Sequence, residues 1–331
     1  LPVVVPDPDS SLLQVVHNAA DPAAEFVDVY INGVLAIDDF EFRTATPFIE
    51  LPSGVELNLG IAPGNSGSSD DVIANFPVTL EEGEKYVVAA TGVLDPSSFD
   101  SGANGDAIAF TLAILTPAQT EGASEDNVDI AVFHGSTDAP TVDVLTAGTI
   151  LVDDLSYGNF TDGYLSVPAA DYILDITPGN ANDVIVASFE APLTDLGGGA
   201  AVVFASGFLD PSANQDGAAF GLLAVLADGT AILLPQVIEE EPKIVSYTLI
   251  DAETDEPVEG YDPIEEGAVI PADMIASGSF NVRANLADGE TVGSVAFVVT
   301  DENGKVRERT ESAAPYAAFG DSKGDYRAIE V

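Results

Sequence analysis

Two stretches of the sequence decide its fold, QVVHNAAD at residues 14–21 and IAVFHGSTD at residues 130–138. Each carries an apolar run, then a histidine, and then an aspartate four residues after the histidine. Further blocks repeat in the same order at a spacing of 115 residues: VDV at 27–29 and 142–144, DDF at 38–40 and DDL at 153–155, APGN at 62–65 and TPGN at 177–180, GVLDP at 92–96 and GFLDP at 207–211. Matched blocks at one spacing indicate a tandem duplication. We place repeat 1 at residues 9–124 and repeat 2 at residues 125–237.

Short β-rich segments separated by turn residues fill both repeats. Val27–Ile31 and Val142–Leu145 are rich in β-branched residues, and Asn32-Gly33 after the first of them is a strong hairpin-turn signal. Tyr86–Ala90 and Ala201–Ala205 are almost wholly apolar, which is typical of inner strands of a sandwich. Neither repeat contains a convincing ten-residue amphipathic helix. Regular short strands with such turns predict a sandwich or barrel.

Composition changes after the acidic stretch EEEPK at residues 239–243, since seven of the nine basic residues lie from Lys243 onward. We therefore place a linker at residues 238–243 and a third module at residues 244–331. Its candidate strands are Val245–Ile250, Phe280–Ala284, Ser294–Thr300 and Val306–Thr310, with a hairpin turn at residues 301–304. The sequence thus predicts an all-β chain of three consecutive β-sandwich domains of the Ig-like or Greek-key type.

The opening of repeat 1 carries a family resemblance. VVHNAADP at residues 15–22 followed by VDVYING at residues 27–33 resembles the start of modules in the domain of unknown function 4397 family. In repeat 2 the match is weaker, because LTAG at residues 145–148 replaces YING. The resemblance covers about 230 residues and implies secreted, often tandem β-sandwich modules. It implies no catalytic residue.

The third module is similar to a C-terminal Ig-like module of bacterial secreted proteins. The similar residues are YTLIDAETD at 247–255, NVRAN at 281–285, APY at 314–316 and FGDS at 319–322. In that pattern one more strand follows the GDS stretch, whereas this sequence stops at Val331. We therefore expect a sandwich that lacks its last strand, with proteolysis, trimming and a genuinely incomplete module as the open explanations.

The charge balance is extreme, with 56 acidic and 9 basic residues and a net charge of −47. It excludes nucleic acid as a partner, because phosphate binding needs clustered lysine and arginine, and it disfavours anionic membranes. No apolar run approaches the roughly 20 residues that span a bilayer, so we expect no transmembrane segment. The absence of cysteine excludes disulfides and thiolate zinc sites. Adaptation to salty water explains the acids better than specific Ca²⁺ binding, because they are spread along the whole chain.

His17 and His134 are the only histidines, and they occupy equivalent positions in the two repeats. They are candidates for a metal ligand or a general base. A structural side chain bonded to a neighbouring loop, such as the one with Asp21 or Asp138, explains one histidine per repeat more simply. No nucleophile motif or phosphate loop is present. We therefore expect no catalytic residue and no enzyme activity.

Calcium is the one cofactor that the sequence suggests. Oxygen-bearing side chains crowd a glycine-containing loop in each repeat, and such ligands suit Ca²⁺ although the spacing matches no EF-hand. The candidate ligands are Asp95, Asp100, Asn104 and Asp106 in repeat 1 and Asp210, Asn214 and Asp216 in repeat 2. A solvated acidic loop is the simpler alternative. A weaker candidate of the same kind is DSKGD at residues 321–325.

The N-terminal extension, residues 1–8, suggests self-assembly. It is a β-branched run with the apolar residues Leu1, Val3, Val4 and Val5, and its later prolines mark it off from repeat 1. A strand without a partner at one end complements a sandwich that lacks a strand at the other. Insertion into the next molecule would be a head-to-tail donor-strand contact, which generates a filament because it does not close.

The sequence therefore favours a non-catalytic extracellular or cell-surface protein that forms a homopolymer. Its start at Leu1 rather than Met fits a secreted form whose signal peptide has been removed. The alternative is a monomeric array of cell-adhesion or glycan-binding modules, stabilised by calcium and in contact with a surface glycan or cell wall. Glycan platforms usually expose aromatic rings, and the chain has no tryptophan.

Overall fold

β-strands make up nearly all regular structure of this chain. The computed structural model describes residues 9–101, 105–238, 244–265, 267–271, 274, 279–287, 289–300, 304 and 306–329. By its contacts the chain divides into two compact units, residues 1–238 and residues 239–331. The first unit contains both repeats, and the second contains the third module.

Repeat 1 is a sandwich of two four-stranded sheets. Its strands are β1 (Ser10–His17), β2 (Phe26–Ile31), β3 (Val34–Glu41), β4 (Ile49–Pro52), β5 (Glu56–Pro63), β6 (Ala74–Thr79), β7 (Lys85–Thr91) and β8 (Thr111–Leu115). One sheet has the order β4-β1-β7-β8 and the other has the order β3-β2-β5-β6. β1 and β7 run parallel, and every other pairing in the two sheets is antiparallel.

Repeat 2 has the same arrangement with one short strand added to each sheet. Its strands are β9 (Asn127–His134), β10 (Val142–Thr146), β11 (Thr149–Leu155), β12 (Leu165–Pro168), β13 (Asp171–Pro178), β14 (Ala187–Pro192), β15 (Ala200–Ser206), β16 (Gly221–Leu226), β17 (Ala231–Leu233) and β18 (Gln236–Val237). The sheets have the orders β12-β9-β15-β16-β17 and β11-β10-β13-β14-β18. β9 and β15 are parallel, as β1 and β7 are. The duplication predicted from the sequence is therefore confirmed strand by strand.

Three-residue 3₁₀ turns are the helical elements of this unit, in the part of the chain that the structure describes. They span Pro22–Ala24, Ser69–Asp71, Pro96–Ser98 and Pro211–Ala213. The predicted hairpin at Asn32-Gly33 is present, because Ile31 pairs with Val34 directly across it. Both turn residues have positive φ, 50° for Asn32 and 78° for Gly33, which is the type I′ geometry that matches the strand twist.

The sheet that contains β1 and β7 packs against the sheet that contains β9 and β15, so the first unit has four sheet layers. In β15, Val203 and Ala205 face the second sheet of repeat 2, whereas Val202 and Phe204 face repeat 1. We call the inter-repeat layer the shared core; it contains Val16, Val87, Ala89, Leu115, Ala118, Ala131, Phe133, Val202, Phe204, Leu223 and Val225. A strand buried on both faces needs apolar residues at every position, which explains the unbroken apolar runs in β7 and β15.

The second unit is also built from β-strands. They are β19 (Ile244–Asp251), β20 (Glu256–Pro257), β21 (Phe280–Leu286), β22 (Val295–Thr300), β23 (Val306–Glu311), β24 (Tyr316–Ala317), β25 (Asp321–Ser322) and β26 (Asp325–Tyr326). A sheet of order β20-β19-β21-β24 faces the β22–β23 hairpin, and Ala284, Val295, Phe297, Tyr316 and Ala318 fill the space between them. All four strands predicted from the sequence are present within a residue or two of their expected ends.

Candidate functional site

The two histidines occupy equivalent places at the ends of β1 and β9. The ring Nε2 of His17 lies 2.7 Å from the carbonyl oxygen of Ala24, and that of His134 lies 2.8 Å from the carbonyl oxygen of Pro140. A carbonyl only accepts, so Nε2 carries the hydrogen in both rings. Burial lowers the pKa of His17 to about 4 and also lowers the pKa of His134. Both rings are therefore neutral donors that fasten the loop after their own strand.

The aspartate four residues after each histidine ties this loop to the loop that follows β7 or β15. Asp21 accepts the backbone N–H groups of Ala23 at 2.9 Å and Leu94 at 2.8 Å. Asp138 accepts those of Leu209 and Asp210, each at 2.8 Å. The repeated His-x-x-x-Asp motif is thus a loop clamp present once per repeat.

Three of the seven predicted calcium ligands form hydrogen bonds with protein groups. Asp95 accepts from Ser97 Oγ at 2.6 Å, and Asp210 accepts from Ser212 Oγ at 2.6 Å, so each closes a 3₁₀ turn. These hydrogen bonds lower the pKa of both carboxyl groups. Asn214 is fully buried; its Oδ1 accepts from the N–H of Asp100 at 2.9 Å and its Nδ2 donates to Asp138 at 3.0 Å.

Of the remaining predicted ligands, the structure describes Asp100, Asp106 and Asp216. Asp216 is exposed in the repeat 2 loop. Asp106 is half-buried, and its charge partly opposes the lowering of the His134 pKa by burial. Asn104 lies outside the described residues. Across the described ranges, no group of three or more histidine or acidic side chains is placed to hold a metal ion. Calcium in these loops stays a prediction.

The same loops join the two repeats. Asn214 of repeat 2 bonds Asp100 of repeat 1, and the rings of Phe99 and Phe208 stack with centroids 5.6 Å apart. Arg43 of repeat 1 donates to the carbonyl oxygens of Ser206 at 3.0 Å and Ala219 at 2.7 Å. Asn214 and Arg43 therefore act as inter-repeat fasteners, which sequence reasoning missed because spacing within one repeat carries no signal for contacts between repeats.

Each repeat also buries an aspartate in the middle of an apolar strand. Asp28 in β2 and Asp143 in β10 are each 1% exposed. Oδ1 of Asp28 accepts the N–H of Asp39 at 2.9 Å, and Oδ1 of Asp143 accepts the N–H of Asp154 at 2.6 Å. Asp39 and Asp154 have a φ of 49° at an irregularity in the strand pairing. The signal was present in the sequence as an acid inside each Val-Asp-Val block.

The second unit contains an apolar groove between its two sheets. The groove has a volume of about 350 Å³. Its lining residues are Tyr247, Leu249, Ile270, Phe280, Asn281, Val282, Ala296, Phe297, Val298, Val299, Ala318, Phe319 and Ile329. Among the described residues β22 pairs with β23 alone, so no described strand pairs with its other edge. An apolar groove beside an unpaired strand edge is the geometry that accepts an added strand.

The predicted donor segment with Leu1, Val3, Val4 and Val5 lies outside the described residues, as does most of the predicted turn at 301–304. Within the described part of the chain, no helix has the length and apolar character needed to cross a membrane. A family model for the Domain of unknown function (DUF4397) matches residues 11–104 and 128–213, one region in each repeat and together more than half of the chain. None of the curated proteins compared with the chain matches it.

Proposed function

This chain belongs to the DUF4397 family, and we propose that it is a non-catalytic extracellular structural protein whose molecules join head to tail by strand exchange. The extracellular location rests on the family resemblance drawn from the sequence. The observation that carries the proposal is the apolar groove beside the free edge of β22.

A structural role is supported by the way the polar residues of the repeats are used. Both histidines donate to backbone carbonyl groups. Asp21, Asp138 and Asn214 bond backbone or side-chain groups of neighbouring loops. These side chains fix loops in place through hydrogen bonds within the protein.

The groove supports the acceptor half of the exchange. In β22, Val295 and Phe297 point into the core and are 5% and 8% exposed. Val298 lines the groove and is 67% exposed, although its side chain is fully apolar. A strand laid along the free edge would pair with the backbone of β22 and cover this apolar surface.

The sequence of residues 1–8 supports the donor half. Three consecutive valines favour an extended backbone and supply apolar side chains on both faces of a strand. Insertion of this segment into the groove of the next molecule buries them and pairs their backbone. Because donor and acceptor are different surfaces, each bound molecule leaves one of each free, and the chain of contacts grows into a filament.

The test compares two exposed valines on the same hairpin. Val298→Asp places a charge in the groove, whereas Val306→Asp places the same charge on β23, at a residue that does not line the groove and is 53% exposed. We expect fibres in electron micrographs of the unmodified chain and of the Val306 variant, and monomers with an unchanged circular dichroism spectrum for the Val298 variant. Deletion of residues 1–8 should also give folded monomers.

A synthetic peptide of residues 1–8 separates strand exchange from other modes of assembly. It should bind the deletion variant and should not bind the same protein with Val298→Asp. The proposal is wrong if the unmodified chain stays monomeric, if fibres persist after the deletion, or if the two aspartate variants assemble alike. If another part of the same molecule fills the groove, the peptide will not bind.

A further inference from the structure

The buried aspartates of the two repeats differ in what satisfies their second oxygen. In repeat 1, Ser66 donates its hydroxyl to Oδ2 of Asp28, and the hydroxyls of Ser66 and Tyr30 are 2.8 Å apart. At the repeat spacing of 115 residues, Ala181 stands in place of Ser66 and Leu145 in place of Tyr30. Both hydroxyls are therefore missing from repeat 2.

The loss leaves an oxygen of Asp143 without a partner. Its Oδ2 is buried and accepts no hydrogen bond from any described residue. A carboxylate removed from water without a partner for each oxygen is strongly destabilising, because nothing replaces the lost hydration. A water molecule or a cation bound at this position would satisfy the oxygen.

The side chain of Asp154 lies near that of Asp143. A Cβ placed on Gly179 would be 2.5 Å from Oδ1 of Asp154 and 3.5 Å from Oδ1 of Asp143, so both side chains converge over this glycine. Thr177, the cross-strand partner of Asp143, donates to Oδ1 of Asn182 at 3.2 Å. The two carboxylates and the Asn182 amide thus lie around the loop that follows β13.

No basic side chain of this unit is left to neutralise the two carboxylates. The sequence before residue 239 contains two basic residues, Arg43 and Lys85. Arg43 bonds Ser206 and Ala219 at the inter-repeat contact, and Nζ of Lys85 donates to Thr120 Oγ1 at 2.7 Å. Two neighbouring carboxylates, of which Asp143 is buried, favour binding of a cation when no positive side chain lies beside them.

We propose that repeat 2 binds one Ca²⁺ ion at Asp143 and Asp154, a site that repeat 1 replaces with the Ser66 hydroxyl. Oxygen ligands, two of them carboxylate groups, suit a hard divalent cation. Asp154 is exposed to solvent. This open side admits the ion and leaves room for the waters that complete its coordination. The site is separate from the groove of the second unit and does not depend on strand exchange.

The test uses calcium titration calorimetry in concentrated KCl, which suppresses diffuse binding to the acidic surface. We expect one Ca²⁺ per unmodified chain. Asp154→Asn should weaken binding roughly tenfold or more, because affinity follows the charge of the ligands. Asp153→Asn is the matched control: it removes the same charge from the neighbouring exposed residue and should leave the affinity unchanged.

Ala181→Ser supplies the decisive variant, because it restores the hydroxyl of repeat 1 without removing a ligand. It should abolish calcium binding while the protein stays folded, and it should remove the rise in melting temperature that Ca²⁺ gives the unmodified chain. The proposal is overturned if no binding survives in KCl, if the Asp153 and Asp154 variants lose affinity equally, or if Ala181→Ser binds as the unmodified chain does. A further outcome is that Ala181→Ser raises the melting temperature while Ca²⁺ changes neither the variant nor the unmodified chain. That outcome would indicate an ordered water at Asp143 and would also overturn the calcium site.

Discussion

Repeat 1 and repeat 2 have one strand order and one pair of parallel strands, yet they stabilise the same backbone with different side chains. Asp28 is satisfied by Ser66, whereas Asp143 keeps an oxygen without a partner among the described residues. Arg43 has a φ of 64° where repeat 2 has Gly158 with a φ of 78°. The comparison shows which features the fold needs in both copies and which features belong to one copy.

The features present in both copies are those that hold the backbone. Each repeat has a buried aspartate that accepts the N–H at the strand irregularity and a histidine that donates to a loop carbonyl. The features found in only one copy are not among these shared backbone contacts. Arg43 bonds repeat 2, and Ala181 lacks the hydroxyl that satisfies the buried aspartate of repeat 1.

The largest expected effect tests whether the repeats are one cooperative structure. Phe133 lies in the shared core and is fully buried, with its ring centroid 4.5 Å from that of Phe160. Phe133→Ala should cost about 3–5 kcal/mol of unfolding free energy. Because both repeats contribute to this core, calorimetry should show a single transition for residues 9–238, shifted as a whole. A separate transition for repeat 1 at its original temperature would contradict a shared core.

Phe189→Ala is the matched control for that experiment. Phe189 is 1% exposed and belongs to the core between the two sheets of repeat 2, away from repeat 1. It should cost a similar free energy. In hydrogen-exchange measurements we expect the Phe133 variant, more than the Phe189 variant, to speed exchange in β7 of repeat 1.

The shared core also marks the limit of prediction from the sequence. The apolar runs at Tyr86–Ala90 and Ala201–Ala205 correctly predicted inner strands, and the repeated blocks correctly predicted the duplication. The runs show burial on both faces, but apolar side chains lack the directional chemistry that would identify what covers the second face. The partner surface follows from tertiary packing alone.

The buried aspartates show a different limit of prediction from the sequence. The acid within each Val-Asp-Val block and the exchange of Ser66 for Ala181 are both visible in the sequence. Their meaning depends on a contact between residues 38 positions apart in repeat 1, which alignment of the two repeats does not disclose. The calcium prediction instead followed the density of acids in the loops at 95–106 and 210–216, where Asp95, Asp210 and Asn214 bond the protein itself.

The second prediction concerns pH and the two histidines. The pKa of His17 is lowered by burial to about 4 from 6.5, so the unfolded chain binds more protons between these values. Stability from this group is complete above about pH 6.5 and falls by about 3 kcal/mol as the pH drops to about 4. His17→Gln should flatten this dependence in denaturant titrations between about pH 7.5 and about pH 4.5.

His134→Gln is the comparison for that experiment. Burial lowers the pKa of His134 as well, but the nearby carboxylates of Asp106 and Asp138 oppose the shift. We therefore expect the His134 variant to flatten the pH dependence less than the His17 variant does. Equal slopes for the unmodified chain and both variants would mean that the carboxylates alone set the acid response.

The third prediction concerns Arg43, the inter-repeat fastener whose equivalent position in repeat 2 is Gly158. Arg43→Gly introduces the residue found at position 158 and relieves the positive φ, but it removes the hydrogen bonds to Ser206 and Ala219. We expect a net loss of about 1–3 kcal/mol, because the buried Ser206 loses its donor. Arg43→Lys should recover only part of the loss, since an ammonium group cannot reproduce the fork of the guanidinium. Full stability in the glycine variant would show that the fastener contributes nothing.

The smallest expected effect concerns the two-residue hairpin turns, where the repeats differ by one side chain. Asn32 and Ala147 hold the same turn position with φ values of 50° and 46°, each followed by a glycine. Alanine is strained in this left-handed conformation, whereas asparagine tolerates it. Asn32 also accepts the N–H of Asn58 at 2.9 Å, a contact that alanine cannot make. Ala147→Asn should therefore raise the unfolding free energy by about 0.5–1 kcal/mol, and Asn32→Ala should lower it by at least about as much. Chemical denaturation measures the unfolding free energy of both variants, and the two changes must have opposite signs. If both substitutions destabilise the protein, the side-chain contacts of Ala147 outweigh its backbone strain and the two turns are not equivalent.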